Sequence, residues 1–151
     1  MTLETYKSKR TFSKTPEPVG KIKKSKDKKT IFVIHDHHAS HHHFDLRLEM
    51  EGVLASWAVP KEPPIEKGTK RLAVQVEDHP LEYATFKGTI PEGNYGAGKV
   101  EIWDSGFYEL KSKTNDKIEF KLNGKKLKGD YILIKTSYGN KPEKSWLWFK
   151  V

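Results

Sequence analysis

His43-Phe44-Asp45-Leu46-Arg47-Leu48-Glu49-Met50 alternates without a break: His43, Asp45, Arg47 and Glu49 fall on one side of an extended chain, Phe44, Leu46, Leu48 and Met50 on the other. A period of two is that of a β-strand, here with one face apolar and the other polar and chemically equipped. Gly52 follows, and Val53 to Val59 reads as a second strand ending at Pro60. The loop Lys61-Glu62-Pro63-Pro64 continues neither helix nor sheet, because each proline lacks an N–H. Working outward, strands are expected over Leu72 to Glu77, Gly98 to Trp103, Phe107 to Lys111, Lys117 to Leu122, Asp130 to Lys135 and Ser145 to Val151. Asn123-Gly124 between two alternating runs predicts a hairpin, because both residues tolerate positive φ. No segment sustains a 3.6-residue period, and no internal repeat is evident. The expected fold is all-β, an antiparallel barrel or sandwich of about eight strands, and a small closed β-barrel is favoured because closure removes exposed edges.

With 151 residues the chain is long enough for one core. No apolar run approaches the roughly 18 to 20 residues that cross a bilayer, and the N-terminus has no apolar signal core. The expectation is a soluble, cytoplasmic protein without a membrane partner. The absence of cysteine excludes disulfides, thiolate metal sites and thiol nucleophiles. Any metal must be held by nitrogen and oxygen. Of the net charge of +8, nearly all belongs to the first thirty residues, where ten Lys or Arg face Glu4, Glu17 and Asp27. The stretch 1–29, with Lys23-Lys24-Ser25-Lys26-Asp27-Lys28-Lys29 and two prolines, is expected to be a flexible basic arm that contacts phosphates in a salt-dependent way. Residues 30–151 are then the barrel domain.

Six of the seven histidines fall within residues 35–43: His35, His37, His38, His41, His42 and His43. On a strand, His43 and Asp45 point the same way, so one metal at about 2.0 to 2.2 Å from each is geometrically reasonable. His37 is the natural third ligand if the chain bends between Ala39 and His42, and His42 stands as its alternative. Two imidazoles and a carboxylate leave coordination positions open for water or a substrate oxygen, as a catalytic site requires. This donor set suits manganese, zinc, iron, nickel or cobalt. One strand period further, Arg47 offers a planar fork of donors for a phosphate on that metal. Arg71, Ala73, Gln75, Glu77 and His79 share one parity, so a second polar row is expected to bring Arg71 and His79 to the same phosphate. The loop Gly93-Asn94-Tyr95-Gly96-Ala97-Gly98 lacks the lysine context and following helix of a phosphate-cradling loop and reads as a tight turn. A barrel that binds nucleic acid without catalysis, its histidines incidental, is the competing expectation.

Several ordered blocks carry a resemblance. His37-His38-Ala39-Ser40, His43 to Glu49, Ser56-Trp57-Ala58-Val59-Pro60-Lys61, Val76 to Tyr83 and Ile90 to Gly98 resemble the signature blocks of the 3′-phosphoesterase domain of bacterial DNA ligase D. The tail matches in Leu3, Tyr6, Lys9-Arg10, Phe12 and Thr15-Pro16-Glu17-Pro18, and Gly124 to Gly129 and Trp146-Leu147 keep the register. The resemblance implies a manganese-dependent enzyme of non-homologous end joining, with Co2+ or Zn2+ as possible substitutes. Such an enzyme removes a 3′-terminal ribonucleotide from a DNA primer-template as a phosphodiesterase. It then removes the remaining 3′-phosphate as a phosphomonoesterase and leaves a 3′-hydroxyl. Carried over by position, the metal ligands are His37, His43 and Asp45, the phosphate contacts Arg47, His79 and Tyr83, and the supporting basic residues Lys61 and Arg71. Tyr83 and Lys61 rest on the resemblance alone. Phe44 departs from the family, in which tyrosine is common at that position, and His38, His41 and His42 exceed its pattern. Since 151 residues leave no room for polymerase or ligase modules, the expectation is a stand-alone, monomeric phosphoesterase working with a separate DNA ligase and polymerase.

Overall fold

The structure, a computed structural model, describes residues 30–137 and 142–151 together with Leu3. The expected basic arm, Leu3 apart, lies outside the described residues. Among the described residues nine strands run β1 (Thr30–His38), β2 (His43–Met50), β3 (Val53–Val59), β4 (Lys70–Pro80), β5 (Gly88–Ile90), β6 (Gly98–Lys113), β7 (Lys117–Asn123), β8 (Lys128–Lys135) and β9 (Ser145–Lys150). Hydrogen bonding follows the order β1-β2-β3-β4-β9-β8-β7-β6, and β6 pairs back onto β1. Every pairing in this circuit is antiparallel, so eight strands close a barrel and β5 is added at one end of β6. Among the described residues no helix is long and apolar enough to cross a membrane.

The alternation that predicts β2 has the expected outcome. Leu46 and Leu48 join Phe32, Ile34, Trp57 and Trp148 in the barrel interior, where each side chain so buried contributes about 1.5–3 kcal/mol. The opposite face is covered as well, which periodicity does not disclose. A 3-10 helix, Leu81–Thr85, lies against the outside of the wall, and its Tyr83 and Ala84 form a second apolar cluster with Val33 and Leu54. As a result Phe44 through Glu49 are all buried, the charged residues included.

Three sequence expectations need correction. The segment expected as two strands, Gly98 to Trp103 and Phe107 to Lys111, is one strand of sixteen residues, because Asp104, Ser105 and Gly106 continue the ladder to Ile34, Val33 and Phe32. The turn after Asn123 does close a hairpin, but neither Asn123 nor Gly124 has positive φ. Glycine is needed at 124 for space: a Cβ there would come within 2.3 Å of an Asp104 carboxylate oxygen and 2.7 Å of the Phe32 ring. Positive φ occurs instead between β2 and β3, at Glu51 (52°) and Gly52 (84°). Third, the row Arg71 to His79 does not keep one face. Leu54 pairs with His79 but Ser56 with Val76, so two residues of β4 stand opposite Ala55 in a β-bulge that reverses the parity. Gln75, opposite Trp57, belongs to the interior side, and Val76 and His79 share the outer one.

Candidate active site

The antiparallel register of β1 and β2 sets His37 opposite His43, His35 opposite Asp45 and Val33 opposite Arg47, on the outer face of the barrel wall. The His43 Nε2 lies 3.3 Å and the His37 Nδ1 3.8 Å from the same Asp45 carboxylate oxygen, and one donor atom of each residue falls within 4.8 Å of the others. The far nitrogen of each imidazole is occupied by a backbone carbonyl: His37 Nε2 donates to Gly96 O at 2.7 Å and His43 Nδ1 to His41 O at 3.0 Å. Those carbonyls select the tautomers in which His37 Nδ1 and His43 Nε2 carry lone pairs toward Asp45, as metal-ligating histidines are usually held. Burial alone would push the Asp45 carboxyl up; the Arg47 guanidinium, with His37 and His43, outweighs it and holds the group well below the usual carboxylate range. Burial opposes charge on His43 too, yet its contact with Asp45 leaves its pKa raised. A compact anionic donor set of nitrogen and oxygen fits a divalent transition metal.

Arg47 is buried and fixed on several sides. Its Nη2 lies 3.3 Å from the Asp45 carboxylate, its Nη1 donates to Ser56 Oγ at 2.9 Å, and its Nε donates to His35 Nδ1 at 3.0 Å. The Ser56 hydroxyl passes its own proton to Leu54 O, 3.0 Å away, and so accepts from Arg47. The guanidinium carbon stands 4.9 Å from the centre of the Tyr83 ring. His79 Nδ1 is 3.2 Å from Arg47 Nη1 and 3.0 Å from Glu77 O, and its ring meets Tyr83 edge-on at 4.6 Å. Glu77 O can only accept and Arg47 only donates, so Nδ1 either donates to the first or accepts from the second, and the tautomer of the neutral ring follows that choice. His35 Nε2 donates to Phe86 O, and desolvation, aided by the nearby positive charge of Arg47, lowers its pKa to about 3.

These side chains border a cleft of about 310 Å³ whose outer walls are Tyr83, Ile90, Tyr95 and Gly96. It brings together six of the residues expected from the sequence: His37, His43, Asp45, Arg47, His79 and Tyr83. Lys61 and Arg71 are elsewhere, bordering a separate hollow with Pro60 and Leu72, where Arg71 Nε donates to Glu62 O at 2.7 Å. For Arg71 the bulge in β4 is the reason, since it puts Arg71, Ala73 and Gln75 on the side of the strand away from the face that carries His79, whereas Lys61 lies in the loop after β3. His42, the alternative to His37, joins Asp36 and His38 in another group. His35, Ser56 and the Gly96 carbonyl escaped sequence reasoning. For His35 a signal existed, because it has the same parity as His37; the other two depend on cross-strand register and loop conformation.

Residues 35–135 match the family described as the DNA Ligase D 3′-phosphoesterase domain. The chain is 48% identical over 139 residues to the multifunctional non-homologous end joining DNA repair protein LigD of Mycobacterium tuberculosis, covering 89% of this chain and 18% of that protein. It is 46% identical over 156 residues to the multifunctional non-homologous end joining protein LigD of Pseudomonas aeruginosa, with 99% and 18% covered, and equally to that of Mycolicibacterium smegmatis, with 96% and 20% covered. The chain thus spans about a fifth of the length of these curated relatives. Because the family match takes in the hairpin of His37, His43 and Asp45 and continues around the barrel to the end of β8, the chain belongs to the DNA ligase D 3′-phosphoesterase domain family.

Proposed function

We propose that the chain is a metal-dependent phosphoesterase that heals DNA 3′ ends, removing a 3′-terminal ribonucleotide and then the 3′-phosphate to leave a 3′-hydroxyl. The observation that carries this reading is the meeting of a two-imidazole, one-carboxylate donor set with a buried, multiply fixed arginine in one cleft. His37 Nδ1, His43 Nε2 and Asp45 would hold manganese, with Co2+ or Zn2+ as substitutes. When bound, such a metal polarises a phosphoryl oxygen and acidifies a bound water.

The chain's own groups do the rest. Arg47 presents fixed donors to charge developing on the phosphoryl group, and because its partners already hold it, little reorganisation accompanies the reaction. His79 hydrogen-bonds the phosphate or gives a proton to the leaving oxygen, a role suited to a side chain whose ordinary pKa is about 6.5. Tyr83 closes the cleft beside both. Lys61 and Arg71 support catalysis from outside the cleft, contacting the nucleic-acid backbone beyond the terminal phosphate. The basic stretch 1–29 adds salt-dependent affinity for DNA, and a separate ligase and polymerase use the healed end.

The test is incubation with Mn2+ and a primer-template whose primer ends in one ribonucleotide. The expected products are a strand shortened by one nucleoside, still carrying a 3′-phosphate, and then its dephosphorylated form. Arg47→Ala should lower turnover about 10²–10³-fold, the cost typical of deleting one transition-state donor. His43→Ala and Asp45→Ala should abolish both steps; near-wild-type turnover in either would sink the metal assignment. Retained DNA binding without either product would leave a binding module instead.

A further inference from the structure

His37 and His38 are neighbours on β1 and face opposite ways. His38 belongs to a second group, with Asp36 and His42, whose donor atoms also fall within 4.8 Å of one another. The His42 Nε2 lies 2.5 Å and the His38 Nε2 3.4 Å from the same Asp36 carboxylate oxygen. Their rings stack 4.7 Å apart and only 6° from parallel, so the two Nε2 atoms approach that oxygen side by side. Strand register separates the group from the cleft: Asp36 pairs with Phe44 of β2, itself in the interior cluster, whereas His37 pairs with His43.

We propose that Asp36, His38 and His42 form a second metal site, on the face of the β1–β2 hairpin opposite the catalytic one. Two imidazoles that converge on one carboxylate oxygen make a donor set for a borderline divalent ion, and imidazole favours Zn2+, Ni2+ or Cu2+ over Mn2+. Register adds an independent reason for a cation. Asp36 stands directly opposite Glu101 of β6, and facing carboxylates repel unless positive charge lies near. Lys99 takes part of that role by pairing with Glu101 at 2.8 Å, but it leaves the Asp36 oxygens to the two histidines. Both imidazoles are exposed, so an ion reaches them without the barrel opening.

The position of the site gives it a consequence. His38 and His42 bracket the turn between β1 and β2, and within that turn the His41 carbonyl holds His43 Nδ1. An ion shared by His38 and His42 therefore braces the turn that orients a ligand of the other centre.

The experiment is equilibrium dialysis of the full chain against Zn2+, with metal content read by atomic absorption. Wild type should retain two equivalents. The His38→Ala/His42→Ala double variant and, independently, Asp36→Asn should retain one, with β-sheet circular dichroism unchanged. Asp45→Ala, which damages the other centre, should still retain one, and Zn2+ should raise its unfolding temperature, because a ligand that binds only the folded state stabilises it. One equivalent in wild type that Asp45→Ala removes would show the group to be an ion pair only and would overturn the proposal. Two equivalents in the double variant would overturn it as well, by locating the second ion elsewhere. Neither readout involves turnover, so the result stands apart from the proposed phosphoesterase activity.

Discussion

Arg47 depends on a histidine that stays neutral. His35 is fully buried; with one nitrogen it accepts from the Arg47 Nε and with the other it donates to Phe86 O. An imidazolium in that place would lose the acceptor and set two cations together, in keeping with a pKa lowered to about 3 by burial and by Arg47. His35→Leu keeps the volume but strands a buried guanidinium N–H, at a cost of about 1–3 kcal/mol. Lower thermal stability and reduced turnover are expected together, and a variant that melts and turns over like wild type would show that Arg47 needs no such partner. The same ring makes stability pH-dependent. In the unfolded chain a histidine gains its proton near pH 6.5, whereas His35 in the folded state stays neutral down to about 3. The unfolded state therefore binds more protons across this window, and the contribution of His35 is complete above about pH 6.5 and drains away as pH falls toward 3. Asp45, lowered well below the ordinary carboxylate value, adds a contribution that is present above about pH 3.9 and is lost below it. Denaturant midpoints should fall between pH 7 and pH 4.5, and less steeply for His35→Leu; parallel slopes would remove His35 from the account.

Strands and turns carry a different kind of information. Alternation in β2 discloses both of its faces, because side chains of successive residues must point to opposite sides of an extended chain. That single rule is enough to predict the barrel and the row His43, Asp45, Arg47. It fails for β4, whose bulge arises from pairing with β3 and leaves no trace in the periodicity; hence the expectation that Arg71 would join His79. The hairpin at Asn123-Gly124 was legible in its location but not in its cause. Asp104 reaches across from β6 to accept from the backbone N–H groups of Lys125, Lys126 and Leu127, at 2.9, 3.1 and 2.8 Å, and Gly124 leaves room for it. Gly124→Ala should accordingly destabilise by about 1–3 kcal/mol, as overpacking of a tight site does. Gly68→Ala is the control: φ is +89° there, but no atom lies within 4 Å of the added Cβ. A smaller loss at 124 than at 68, measured by urea unfolding, would show that backbone conformation rather than space decides both positions.

At the scale of the whole molecule, the core and the proposed chemistry occupy opposite sides of one wall. Phe32, Leu46 and Trp148 fill the barrel, while Asp45, Arg47 and His79 lie outside it under the 3-10 helix Leu81–Thr85 and the loop that carries Gly96. A barrel closed by hydrogen bonds on every strand has no need of a metal to stand. Chelation with EDTA is therefore expected to abolish turnover while the β-sheet circular dichroism and a cooperative melt persist, and unfolding on chelation would make the ion structural. Sequence anticipated the closure, because about eight short strands without a sustained helical period leave few alternatives. It did not anticipate the outer layer, since contacts of Tyr83 and Gly96 with the wall join residues far apart in the chain.

The bulge in β4 ties these scales together through counting. Between Leu54 and Ser56 the chain advances two residues, and between Val76 and His79 it advances three. His79 reaches the cleft by virtue of that one surplus residue, so along this strand the spacing is as much a part of the site as the imidazole itself. A deletion of Asp78 would leave every side chain of the proposed chemistry in the sequence and turn His79 to the other side of the wall, a defect that no tally of substituted residues would reveal.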